Sequence, residues 1–134
     1  MSAESNLHMV RQTYTYFGEG NIEGVISGFS PDIQWESKYT SGVPLDGTWT
    51  GADNVLKFFG LLDELLAVKA FVPEKFIAQN DTVVVLGYEE VQVKANGAAY
   101  RNDWVQVWTL DHGKVVHLRT YNDTATVAAA FKGA

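Results

Sequence analysis

Apolar residues first recur along the chain at spacings of three and four. Leu7, Val10, Tyr14 and Phe17 fall on one stripe, which predicts a helix from Ser5 to Gly18, with Gly18 and Gly20 ending it. A short second helix is expected over Ile22 to Phe29, closed by Pro31. The period then changes. "DIQWESKY" alternates, placing Ile33, Trp35, Ser37 and Tyr39 on one face of a first strand. "TSGVPLDGTWTG" reads as an irregular connection, because Gly, Pro and Asp dominate it. Thr50 and Asp53 then resemble a capping box ahead of a third, largely buried helix over Val55 to Leu66.

From Phe71 onward the pattern is that of strands. "DTVVVLGYEEVQV" is β-branched and lies between the turn formers Asn80-Asp81 and Asn96-Gly97. Arg101 to Asp123 supplies two more strands joined by "DHGK", and Asp123 caps a last helix, "TATVAAAF". In the first of these strands Trp104, Gln106 and Trp108 share one side, while Asp103, Val105 and Val107 share the other. Both sides carry apolar residues, so the strand is expected to be covered on both. Helix, helix, strand, helix and a four-stranded meander make one α+β domain spanning residues 1–134.

Composition narrows the partners. A net charge of −6 argues against nucleic acid, whose phosphates require clustered Lys and Arg, and against an anionic membrane surface. There is no cysteine, which removes disulfides, thiolate metal sites and cysteine nucleophiles. The N-terminal "MSAESNLHMVRQ" is polar, unlike a secretory signal, and no apolar run approaches membrane-span length. A soluble, cytoplasmic protein is expected. His8, His112 and His117 show no metal-ligand spacing, and no glycine-rich phosphate loop is present, so no metal or cofactor is implied.

Three stretches carry a resemblance: "GEGNIEGVISGFSPDIQWES", "GTWTGADNVLKFF" and "DHGKVVHLRTYNDTA". Together they resemble the SnoaL-like branch of the nuclear-transport-factor-2-like (NTF2-like) superfamily, which includes ketosteroid isomerases and polyketide cyclases, over nearly the whole chain. The resemblance implies a strongly curved, mixed or antiparallel sheet wrapped around the N-terminal helices as a cone, with a mainly apolar pocket at one end. It also implies a homodimer through the outer sheet face. The carry-over of catalytic residues is incomplete. The cyclases place an Asp after the Arg of the last strand, where Arg119 is followed here by Thr120, and the isomerase positions fall on Thr13 and Ser37.

If Thr120 points into the pocket, Leu118 and Asn122 do too, with Trp35, Ser37 and Tyr39 from the first strand. Aligned on the family, Val84, Leu86, Tyr88 and Glu90 also turn inward, which leaves Val83 and Val85 outside with His117 and Tyr121 as dimer contacts. The expected lining is therefore Tyr14, Trp35, Tyr39, Tyr88, Trp104, Gln106, Trp108, Leu118 and Thr120, a mostly aromatic wall suited to a small apolar molecule. Glu90 is the candidate for proton transfer, and Asp103 is the second candidate if its strand presents it inward. Two functions remain open. One is a cofactor-independent enzyme performing isomerase-, cyclase- or hydrolase-type proton transfer on an apolar or carbonyl-bearing substrate. The other is a non-catalytic ligand-binding or assembly module of the same fold.

Overall fold

The computed structural model of the chain describes residues 2–133. Helix α1 (Ala3–Gly18) begins in a capping box in which Ser2 and Ser5 satisfy each other's backbone N–H groups. It presents Val10, Thr13 and Tyr14 to the interior. The buried Asn6 amide donates to the Asn80 carbonyl at 3.2 Å and so fastens the helix to a distant turn. Helix α2 (Ile22–Ser27) is followed directly by β1 (Phe29–Lys38). Pro31 lies within β1, not after a longer helix, and Phe29 belongs to the strand.

The segment expected to be wholly irregular contains a short strand, β2 (Gly47–Thr50), paired antiparallel to β1 with Trp49 opposite Trp35. Helix α3 (Ala52–Leu65) starts at Gly51 without any side-chain cap, so Thr50 and Asp53 form no capping box. Strand β3 (Leu66–Gln79) follows at once, and β4 (Thr82–Val93), β5 (Ala99–Asp111) and β6 (Lys114–Tyr121) complete the meander. The two-residue turn between β5 and β6 puts His112 and Gly113 at φ of 49° and 77°, the left-handed pair that matches strand twist in a hairpin. Helix α4 (Thr124–Phe131) is capped by Asp123, whose carboxylate accepts from the Thr126 N–H and hydroxyl.

The six strands form one curved, unclosed sheet in the order β2-β1-β6-β5-β4-β3. Among the described residues only the β1 and β6 contact is parallel. Directly opposed residues share a face, so the register assigns the inside. Across β1, β6 and β5 run Trp35, Leu118 and Trp108 in one row and Ser37, Thr120 and Gln106 in the next. Across β5 and β4, Trp108 faces Val83, Gln106 faces Val85, Trp104 faces Gly87 and Asn102 faces Glu89. The odd-numbered residues of β4 therefore point inward, contrary to the alignment with the family. Val83 and Val85 are fully buried, while Leu86 is 38% exposed on the outer face and cannot line the interior.

What fixes this choice is Gly87. A Cβ there would lie 2.6 Å from the Trp104 indole and closer still to the Val72 carbonyl of β3. The indole occupies the place where a side chain would stand. We expect Gly87→Ala to destabilise the fold by about 1–3 kcal/mol, the usual penalty of overpacking. Chemical denaturation should show this as a lower midpoint with an unchanged slope, and an unchanged midpoint would mean that β4 does not depend on this contact.

Candidate functional site

The inner faces of β1, β6, β5 and β4, with α1, α3 and the start of β3, enclose a cavity of about 620 Å³. That volume is within the usual range for small-molecule sites. Most of the lining is aromatic or aliphatic. Trp104 stacks on Phe71 at 4.9 Å and lies nearly parallel to Tyr14, while Trp35 meets Phe59 edge-on at 5.2 Å. The residue types that favour sheets and helix cores thus also build the wall.

Polar groups enter this wall as two ordered chains. In the first, the fully buried Trp108 donates its Nε1–H to the Tyr14 hydroxyl at 3.0 Å. An indole N–H can only donate, so the Tyr14 hydrogen is free for the Gln106 Oε1, to which it makes a short hydrogen bond. Gln106 Nε2 is thereby aimed at Thr120 Oγ1, 3.2 Å away. Burial raises the Tyr14 pKa well above the usual phenol range, which keeps the hydroxyl protonated as this chain requires.

The second chain surrounds a carboxyl group. Asn102 is fully buried opposite Glu89 and donates from Nδ2 to Glu89 Oε2 at 2.7 Å and to Asn122 Oδ1 at 2.8 Å. Its Oδ1 accepts from the Asp123 N–H at 2.8 Å, and Asn122 Nδ2 donates to the Lys38 carbonyl at 2.9 Å. Burial raises the Glu89 pKa, while the Asn102 hydrogen bond opposes the rise. Tyr39 and Tyr100 are also pushed above the usual phenol range, by burial first and then by the Glu89 charge. Asp63 and Lys94 also line the cavity, but both are exposed.

The residues singled out in the sequence separate in space. Tyr14, Trp35, Tyr39, Trp104, Gln106 and Thr120 line the cavity. Trp108 and Leu118 are fully buried in the core, one row deeper than Gln106 and Thr120 along their strands. Tyr88 is on the outer face, with the Arg101 guanidinium 3.9 Å above its ring. Glu90 is exposed on that same face, opposite Arg101, because its neighbour Glu89 takes the inward position. Asp103 is likewise outside, exposed and 3.1 Å from Arg101. Neither carboxylate reaches the cavity. Glu89, Asn102 and the aromatic residues of α3 and β3 were not anticipated. The glycine at position 87, opposite a tryptophan, was the available signal for Glu89.

Outside the sheet a different cluster forms. Glu36 meets Lys38 at 2.8 Å, Arg119 at 2.9 Å and His117 at 3.2 Å, and the Lys38 and Arg119 hydrogen bonds lower its pKa to about 2. Among the described residues no group of three or more His, Cys, Asp or Glu is placed to hold a metal ion, and no helix is long and apolar enough to cross a membrane.

Opposite pH dependence follows for the two glutamates. Because the folded state raises the Glu89 pKa, its ionisation opposes folding; that penalty is absent below the unfolded value of ~4.3 and grows as pH rises through the folded value. We expect Glu89→Gln to stabilise the protein relative to wild type at pH 7 and by much less at pH 4. Thermal unfolding at both pH values checks this, and equal effects at both would place the carboxyl in solvent.

Comparison with known proteins is consistent with this architecture. The SnoaL-like domain family matches residues 10–118. No curated protein matches the sequence. Among solved structures, an NTF2-like protein of Burkholderia xenovorans LB400 is 28% identical, with a TM-score of 0.88 over 97% of this chain and 98% of that one. An NTF2-like protein of unknown function from Burkholderia pseudomallei K96243 is 29% identical, with a TM-score of 0.86 over the same shares. TerC, co-crystallised with polyporic acid, is 29% identical, with a TM-score of 0.85 over 96% of this chain and 98% of that one. With its helices, its curved sheet and most of its length accounted for by that family, the chain belongs to the SnoaL-like domain family.

Proposed function

We propose that the chain is a cofactor-independent enzyme that moves a proton on an apolar or carbonyl-bearing small molecule held in the cavity, with Glu89 as the proton carrier. The observation that carries this reading is a carboxyl group on a mostly apolar wall, tethered through one oxygen and raised in pKa by burial. A carboxyl shifted toward neutrality exchanges protons with substrate near working pH more effectively than a solvated one. Glu89 replaces Glu90 and Asp103 in this role. Thr120, which accepts from Gln106 and keeps its own hydrogen, and Tyr39 would orient polar atoms of the substrate, while Trp35, Trp104 and Phe71 would hold its apolar part. The crystallisation of TerC with polyporic acid supports an organic small molecule as the ligand class. A cytoplasmic location is part of the proposal and rests on the absence of cysteine.

Thr120 favours a second reading, a binding module without chemistry, because it stands where the cyclases of the resemblance carry their acid. The two separate experimentally. Apolar cyclic ketones that quench or shift Trp emission should be found, and Trp104→Ala should weaken their binding more than it lowers thermal stability. For those ligands, deuterium uptake at the carbon next to the carbonyl, followed by proton NMR in D2O, should be accelerated by wild type. Glu89→Gln should lower that rate by about 10²-fold or more while binding changes little. Binding without any exchange would leave the module reading, and exchange unaffected by Glu89→Gln would remove Glu89 from the mechanism.

A homodimer through the outer sheet face completes the proposal, on corrected residues. Val83 and Val85 are inside; the apolar groups outside are Ile77, Val84 and Val107 in one cross-strand row and Leu86, Val105 and Tyr121 in the next. Such a contiguous patch is unusual on a monomer. Sedimentation velocity at micromolar concentration should show a dimer, and Val105→Asp should give a folded monomer. A monomeric wild type would overturn the assignment.

A further inference from the structure

We propose that Asn102 is a positioning residue for Glu89: locked as a one-way donor by the backbone of Asp123, it occupies Oε2 and leaves the exchangeable proton to Oε1. This rests on the reading of Glu89 as the proton carrier and specifies which of its atoms does the work.

The argument starts from a group that has no choice. The Asp123 backbone N–H can only donate, and it lies 2.8 Å from Asn102 Oδ1, so the Asn102 amide cannot be flipped without losing that bond. Both Nδ2 hydrogens are then used, one on Glu89 Oε2 at 2.7 Å and one on Asn122 Oδ1 at 2.8 Å. Asn122 is fixed in the same sense, since its Nδ2 donates to the Lys38 carbonyl, which can only accept. The network thus begins and ends on backbone atoms, and its middle member is fully buried. Breaking it would leave buried polar groups without partners, at a cost of about 1–3 kcal/mol for each.

For Glu89 the consequence is an asymmetry between its oxygens. Oε2 accepts a short N–H hydrogen bond, whether the acid is charged or neutral. A proton on Oε2 would compete with that donor, so the neutral acid carries its proton on Oε1, the oxygen left to the cavity that Glu89 lines. The other titratable groups near Glu89 do not duplicate this role. Tyr39 and Tyr100 are kept neutral by burial, Asp63 and Lys94 are exposed, and the Asp123 carboxylate is engaged by Thr126. Asn102 is not itself a group that exchanges protons with substrate. It decides which oxygen of Glu89 does.

The test uses the full chain without ligand, labelled at glutamate carboxyl carbons and asparagine side-chain nitrogens, and titrated by NMR. In wild type the Asn102 Nδ2 resonances should move with the same midpoint as the Glu89 carboxyl carbon, and in Glu89→Gln that movement should vanish. Asn102→Leu is close in shape and removes the donor without adding charge; it should raise the Glu89 midpoint by about one pH unit, tenfold in proton affinity, and leave the Glu36 titration in place. An Asn102 amide that does not respond to pH in wild type overturns the proposal, whatever the variant does. So does a folded Asn102→Leu protein with an unchanged Glu89 midpoint. Because neither readout involves a substrate, coupled titration together with ligand exchange that ignores Glu89→Gln would fault the enzyme reading and leave the positioning role standing.

Discussion

The Trp104 indole can lie across β4 only where β4 has no side chain, and that requirement organises the inner surface. Gly87 meets it. With Gly87 placed under the ring, the alternation of an extended strand turns Val83 and Val85 into the core and Glu89 toward the cavity. The same ring continues the stack that includes Phe71 and Tyr14, so one steric fit sets both the register of a hairpin and the shape of a wall. A one-residue slip would exchange Glu89 for Glu90 and expose two valines to water. The carboxyl in the cavity is thus fixed by the packing of its neighbours, although a charged group alone gains nothing from that position.

Around this constraint the two hydrogen-bonded chains of the interior follow a common scheme. Each begins from an obligate donor, the Trp108 indole in one case and the Asp123 backbone in the other, and each passes through an amide whose orientation is then determined. Tyr14 and Asn102 are buried at little cost because their partners are in place. The outer face works differently: Glu36 is surrounded by cations near solvent and is held ionised, whereas Glu89 is enclosed with an amide and is held toward neutrality. Two glutamates in one sheet are driven in opposite directions by the company they keep.

Much of the fold could be read from periodicity, because a stripe of Leu7, Val10, Tyr14 and Phe17 or an alternation such as Ile33, Trp35 and Ser37 has one natural reading. Strand β2 could not, since Gly47–Thr50 lies among turn formers and gains its pairing only from β1. The faces of β5 were legible because Trp104, Gln106 and Trp108 are unlike Asp103 and Val105. Those of β4 were not, because Val83, Val85 and Glu89 look much like Val84, Leu86 and Glu90. The choice between them belongs to a contact with another strand. For the same reason Glu89, Asn102 and Asn122 gave no motif: they are well separated in sequence and meet through strand register.

The deep position of Trp108 has a consequence for how this wall could change over generations. Its ring fills the core, and its N–H starts the chain of donors that runs through Tyr14 and Gln106 to Thr120. A phenylalanine there would satisfy much of the first demand and none of the second. Tyr14 would lose the partner that dictates its rotor, and the amide beyond it could settle either way. Two kinds of information, volume and polarity, are written on a single side chain that does not line the cavity. A lineage could therefore redirect the hydrogen at Thr120 by substitutions well outside the cavity, with the lining itself unchanged.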